Sequence, residues 1–157
     1  MSDKHVLIRK AEPKDWQIIQ KLNFGMYSHQ TQFDPYLDMD EPFTKESIKD
    51  YKDDVSNPKK CALIAEIAGK PVGYLVGEKT KMSYRKLTLA EINHMAVNEK
   101  YRCQGIGSKL MDQFRAWCYK NNIDRIKAVA YYQNTDTVKF YSKQGLKPEG
   151  IILEGKV

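Results

Sequence analysis

The chain has 157 residues, 41% of them apolar, and a formal net charge of +6. That length suits one domain, residues 1–157, with its own core, and the lack of an apolar run of membrane length argues against a membrane-spanning protein. The basic residues are interleaved with 20 acidic ones, a diffuse field rather than a nucleic-acid groove, and the three cysteines, Cys61, Cys103 and Cys118, lack CxxC spacing, which argues against a disulfide framework and a metal site alike.

The start of the chain, Met-Ser-Asp-Lys-His-Val, has no apolar signal region, so the cytoplasm is the expected address. Val6 to Arg9 reads as a first strand. Glu12-Pro13-Lys14-Asp15 then suits a helix start, and Trp16, Ile19, Leu22 and Met26 keep helical spacing, which makes Trp16 a core residue. Periodicity stops between Ser28 and Pro42, where two prolines and four carboxylates, Asp34, Asp38, Asp40 and Glu41, mark a loop. Thr44 is the expected cap of a second helix running to about Val55 and ending near Asn57-Pro58.

Cys61 to Ile67 and Val72 to Glu78 are apolar strands joined by Ala68-Gly69-Lys70-Pro71, an antiparallel hairpin. Leu87 to Val97 is the next strand. A helix opening at Gly105 carries Ile106, Leu110, Phe114, Trp117 and Cys118 on one face and ends at Asn121-Asn122. Arg125 to Tyr132 reads as a buried strand, Asn134 to Gly145 as a short helix, and Leu146 to Leu153 as one or two final strands. Strands alternating with helices after an antiparallel start predict an α/β (α+β) fold, a mixed, mostly antiparallel sheet with helices on both faces.

Between the Leu87 strand and the Gly105 helix lies the polar loop Arg102-Cys103-Gln104-Gly105-Ile106-Gly107-Ser108. Small residues at a helix N-terminus let an anion approach successive main-chain N–H groups, so this is a candidate phosphate cradle. A Walker loop would need Gly-Lys-Ser/Thr where the chain has Gly107-Ser108-Lys109, and a dinucleotide fingerprint would need a small residue at Leu110.

The loop resembles instead the Arg/Gln-x-x-Gly-x-Gly/Ala signature of the GNAT superfamily of acyl-CoA-dependent N-acetyltransferases, matched by Arg102, Gly105 and Gly107 after a strand ending in apolar-Ala-Val. The segment from Asn134 through Phe140-Tyr141 to Gly145-Leu146 resembles that superfamily's second hallmark, and the two together cover nearly the whole chain. The resemblance implies a direct transfer of acetyl from acetyl-CoA to a primary amine, without metal. The acceptor would be a small amine or polyamine, a protein N-terminus or a lysine side chain. It implies further that the central strand and the Arg125 strand splay apart to admit the pantetheine arm.

On this reading the main-chain N–H groups from Arg102 to Ser108 take the pyrophosphate, and the edge at Met95, Ala96 and Val97 takes the pantetheine. Asn134 caps its helix, and the resemblance adds a contact to the cofactor arm. Tyr141 matches the superfamily's general acid, and a phenol near pKa 10 is protonated at neutral pH. Glu91 stands where many GNAT enzymes, histone acetyltransferases among them, carry a glutamate base, and a carboxylate in a central strand needs a partner or water. His94 is the rival base; strict alternation puts it on the face opposite Glu91, and a bulge would break that parity. Cys103 has no Cys-His-Asp set around it and reads as a small loop residue rather than a nucleophile. The alternative is a non-catalytic acyl-CoA-binding sensor, against which Tyr141 speaks; a homodimer is left open.

Overall fold

In the computed structural model residues 5–157 are described, so the first four residues of the chain lie outside them. Five strands form one sheet in the order β1-β2-β3-β4-β5: β1 (Val6–Lys10), β2 (Lys60–Ile67), β3 (Lys70–Thr80), β4 (Leu89–Val97) and β5 (Arg125–Ala128). The first three pairings are antiparallel and β4–β5 is parallel. A parallel pair needs a crossover, here supplied by α3 (Ile106–Lys120). The mixed sheet is the one expected.

Each face of the sheet has its own core. On one face Leu63, Ala65, Leu75, Ala90 and Ile92 pack against Ile106, Leu110, Met111 and Phe114 of α3. On the other, Ala62, Ile64, Tyr74 and Val76 pack against α1 (Trp16–Gln30), through Ile19, and α2 (Lys45–Ser56), through Tyr51 and Val55. Trp16 joins that second core as expected, with Lys52 Nζ 5.1 Å from its ring centroid. Thr44 caps α2, its hydroxyl accepting from the Ser47 N–H at 3.2 Å.

The β2–β3 hairpin is tighter than the expected four-residue connection. Ala68 and Gly69 both have positive φ, 49° and 73°, the pattern of a two-residue turn whose twist matches the flanking strands. Pro71 therefore lies inside β3, where it faces Glu66 beside a register shift at Ala65/Glu66.

A second irregularity shapes the site. Val76 pairs with His94 but Gly77 with Ile92, so Asn93 is an extra residue on β4. Gly77 fits opposite because a Cβ there would stand 2.6 Å from the Phe114 ring.

Two expectations need correction. The strand expected at Arg125 to Tyr132 ends at Ala128, because its ladder with β4 stops at Ile92↔Ala128, one residue before the bulge. Beyond it Val129 and Tyr132 are exposed, and the chain turns at Tyr131, whose carbonyl accepts from the Asn134 N–H at 2.9 Å. Leu146 to Leu153 forms no strand. Leu146 packs on the α3-side core, then Pro148 and Gly150 interrupt, and Ile151, Ile152 and Leu153 are exposed. β-branched residues favour a strand only where a neighbouring surface receives them.

Candidate functional site

The loop between β4 and α3 begins with one tight turn, Glu99–Tyr101, capped by Asn98, whose Oδ1 accepts from the Lys100 N–H at 3.1 Å. Arg102 closes it: its N–H donates to the Glu99 carbonyl at 3.3 Å, and its Nε donates to the Val97 carbonyl at 3.1 Å, tying the loop to the end of β4. Cys103 (φ 58°) and Gly105 (φ 76°) are both left-handed.

From Cys103 to Ser108, six consecutive main-chain N–H groups donate to no acceptor among the described residues, the first intrahelical bond being that of Lys109 to the Gly105 carbonyl. Six orphan donors at the positive end of a helix dipole have the arrangement that suits an anion. The Arg102 N–H, expected among the donors, is already used within the protein.

The two glycines of the loop serve different ends. Gly105 needs its left-handed backbone, and a Cβ there would meet nothing. A Cβ on Gly107 would stand 3.0 Å from the Phe140 ring and 3.4 Å from Met95 Cε. Gly107 thus lets α4 (Thr135–Lys143) lie across α3 and above β4.

Past Ile92, β4 is paired only with β3, because β5 has ended. Met95, Ala96 and Val97 therefore line a strand edge left open between the cradle and β5. The bulge and the short β5 produce this opening together.

Glu91 and His94 lie on one face of the sheet, a correction of strict alternation that follows from the extra residue Asn93. Glu91 is half-buried and pairs with Lys127, Oε1 to Nζ 3.0 Å, its partner in the parallel register. Both ring nitrogens of His94 are engaged: Nδ1 is 3.1 Å from the Tyr74 hydroxyl and Nε2 is 2.9 Å from Asp54 Oδ2. Asn23 Nδ2 donates to the same Tyr74 oxygen at 2.8 Å, which leaves the phenolic hydrogen for His94 Nδ1 and makes the neutral ring an Nε2–H donor toward Asp54. Burial pushes the Asp54 carboxyl up, but the hydrogen bond from His94 and the Lys60 ammonium, 2.9 Å away, hold it below its ordinary value.

Asn134 caps α4 as expected, its Oδ1 accepting from the Thr137 N–H at 3.2 Å. Tyr141 packs into the α3-side core, 5.3 Å from Phe140 centroid to centroid, and its hydroxyl makes no hydrogen bond with a described residue. Burial pushes this phenol up to about 12, so it stays protonated across the neutral range. Tyr141 and Glu91 therefore stand on opposite sides of β4.

Several site residues had no signal of their own in the sequence. Lys127 is Glu91's partner only through the parallel register, and Asp54 reaches His94 from α2. Tyr131, read as part of a strand, donates its hydroxyl to Asp34 Oδ2 at 2.8 Å and stacks on Phe33 at 6.3 Å, joining the end of β5 to the acidic segment. Glu41 accepts from the Tyr27 hydroxyl at 3.0 Å and the Ser47 hydroxyl at 2.6 Å. Asp38 and Asp40 remain exposed.

A family model described as the Acetyltransferase (GNAT) family matches residues 23–146. An uncharacterized N-acetyltransferase of Archaeoglobus fulgidus is 28% identical over 105 residues, 66% of this chain and 71% of the relative. Among solved structures, a mutant of the BH1408 protein from Bacillus halodurans superposes with a TM-score of 0.85 at 18% identity, covering 96% of this chain and 99% of its own. AAC(6')-Iy, in complex with the bisubstrate analogue CoA-S-monomethyl-acetylneamine, superposes with a TM-score of 0.73 at 15% identity, covering 98% of this chain and 99% of its own.

Proposed function

The chain belongs to the acetyltransferase (GNAT) family and is an acetyl-CoA-dependent acetyltransferase, and from that premise we propose that it transfers acetyl directly to a primary amine, with Glu91 as proton acceptor and Tyr141 as proton donor. The observation that carries the cofactor assignment is the run of six orphan N–H groups from Cys103 to Ser108 beside the open edge at Met95 to Val97. The first suits a pyrophosphate, the second an amide-bearing arm that adds its hydrogen bonds to a strand edge. Acetyl-CoA supplies the acetyl thioester.

The protein's own residues do the rest. Glu91 takes a proton from the acceptor nitrogen as that nitrogen bonds to the acetyl carbonyl carbon. Tyr141 gives its phenolic proton to the sulfur as the carbon–sulfur bond breaks, and its buried position supports that role because burial favours the protonated form. Glu91 is favoured over His94 by the engagement of both imidazole nitrogens with Tyr74 and Asp54.

For the acceptor we favour a cationic amine, a polyamine or a basic protein segment. Exposed Asp38 and Asp40 in the segment between α1 and α2 support it, as does the acetylneamine half of the analogue bound by AAC(6')-Iy. The test is release of free thiol from acetyl-CoA across a panel of polyamines, aminoglycosides, basic peptides and neutral monoamines. Acetyl-CoA binding without thiol release over the whole panel would favour a sensor instead.

A further inference from the structure

Gln144, at the C-cap of α4, bridges two residues of α3. Arg115 Nη1 donates to Gln144 Oε1 at 3.2 Å, and Arg115 Nη2 donates to the Gln144 carbonyl. Gln144 Nε2 donates to Ser108 Oγ at 2.9 Å. A guanidinium has no acceptor, so Arg115 fixes which end of the amide is which: Oε1 faces Arg115 and the NH₂ faces Ser108.

Ser108 Oγ is thereby an acceptor in this bond, and its own hydrogen finds no acceptor among the described residues. Ser108 is the third residue of α3, and its main-chain N–H is the last of the six orphan donors.

We propose that Arg115, Gln144 and Ser108 form a hydrogen-bond relay whose polarity makes the Ser108 hydroxyl a further donor to the anion held at the start of α3, with Gln144 as the positioning residue. The proposal rests on the reading of that loop as a CoA pyrophosphate site. A chain of donors running one way, headed by a cation, polarises each successive bond, so the charge of Arg115 is felt at Ser108. Gln144→Glu, which keeps an acceptor for Arg115, reverses the last step: a carboxylate accepts the Ser108 hydrogen and leaves the cradle with one donor fewer.

Calorimetric titration with CoA and, separately, with phosphate-free pantetheine tests this. Q144E should raise the CoA Kd by about tenfold or more, the scale of a charge-assisted hydrogen bond, and S108A should raise it by a smaller factor. The double variant S108A/Q144E should bind CoA less weakly than the product of the two factors, because part of the Gln144 effect acts through the Ser108 hydroxyl. Pantetheine binding should stay within about twofold of the parent in Q144E, the usual scatter for a site not touched. Fully multiplicative factors would overturn the relay. So would equal weakening of CoA and pantetheine, the mark of a displaced α4, or an unchanged CoA Kd in Q144E. Q144M, neutral and of similar length, guards against a folding defect: it should keep the parent's thermal transition and bind CoA more tightly than Q144E, and equal loss in the two would also overturn the relay. A parent protein that fails to bind CoA would strike at the proposed function instead.

Discussion

Glu91 Oε1 lies 3.0 Å from Lys127 Nζ, across the parallel ladder one residue before that ladder ends. Lys127 thus holds the carboxylate at the edge of the opening between β4 and β5. An alkyl ammonium with a pKa of about 10.4 is only about 0.04% neutral at pH 7, so the site has to remove a proton. Glu91→Gln should lower kcat/KM by about 10²-fold or more and flatten the acidic limb of its pH profile. His94→Gln should lower stability, since it strips Asp54 and Tyr74 of a buried partner, and leave that limb in place. The reverse pair of profiles would transfer the proton-accepting role to His94.

Tyr141→Phe removes a hydroxyl that bonds to no described residue, so the fold should lose little. The kcat should drop by about 10²-fold or more while the acetyl-CoA Kd stays near the parent's. Because burial holds the phenol near 12, no basic limb below about pH 11 should vanish with it. A kcat within about twofold of the parent, when chemistry limits turnover, would remove Tyr141 from the mechanism.

The two cradle glycines should separate binding from packing. Gly105→Val adds a side chain over the orphan N–H groups and strains a backbone at φ 76°, a strain of about 1–2 kcal/mol, and should weaken CoA binding strongly. Gly107→Ala drives a methyl to 3.0 Å from the Phe140 ring, and should cost about 1–3 kcal/mol of stability and lower kcat by shifting α4. Thermal unfolding and calorimetry on both variants check this; unchanged CoA affinity in a folded Gly105→Val protein would refute the cradle.

Much of this was legible in the sequence, for stated physical reasons. Helical spacing on α3, the Thr44 and Asn134 caps and the position of Gly105 are local features, and local chemistry decides them. The bulge at Asn93 is not local: it lies where β4 pairs with Gly77 under the Phe114 ring, and it reverses the parity between Glu91 and His94. β5 ends next to the same bulge, at Ile92↔Ala128. Lys127, Asp54, Tyr131 and Gln144 became visible only when strands and helices distant in sequence met. Gly107, matched to a phosphate signature, also makes room for Phe140.

Alkaline pH should unfold the protein early. Burial pushes Tyr27 and Tyr141 up to about 12, Cys61 up to about 12 and Cys118 up to about 11, from ordinary values of 10.0 for the phenols and 9.0 for the thiols. The folded state binds these protons more tightly than the unfolded chain, so their contribution is fully present below about pH 9 and is lost as pH rises through about 11 to 12. Urea midpoints at pH 8, 9.5 and 11 should fall steeply over the last interval. Cys61→Ala should make that fall shallower, and an equally steep fall would show that the buried thiol does not drive it.

The structure divides the four carboxylates of the acidic segment. Glu41 is held by Tyr27 and Ser47, and Asp34 by Tyr131 and the Tyr36 N–H, so these two fasten the segment to α1, α2 and the end of β5. Asp38 Oδ1 accepts only the Asp40 N–H, at 2.9 Å, and both side chains face solvent. A role in attracting a cationic acceptor therefore falls to Asp38 and Asp40. Changing both to Asn should raise KM for a spermidine-like acceptor several-fold at low salt, leave KM for acetyl-CoA unchanged, and lose its effect near physiological ionic strength, where exposed charges are screened over about 8 Å. Glu41→Gln should act differently, lowering the thermal transition because two hydroxyl donors lose a charged acceptor. Equal acceptor KM values at low salt in parent and Asp38→Asn/Asp40→Asn protein would leave the segment a structural strap with no part in choosing the amine.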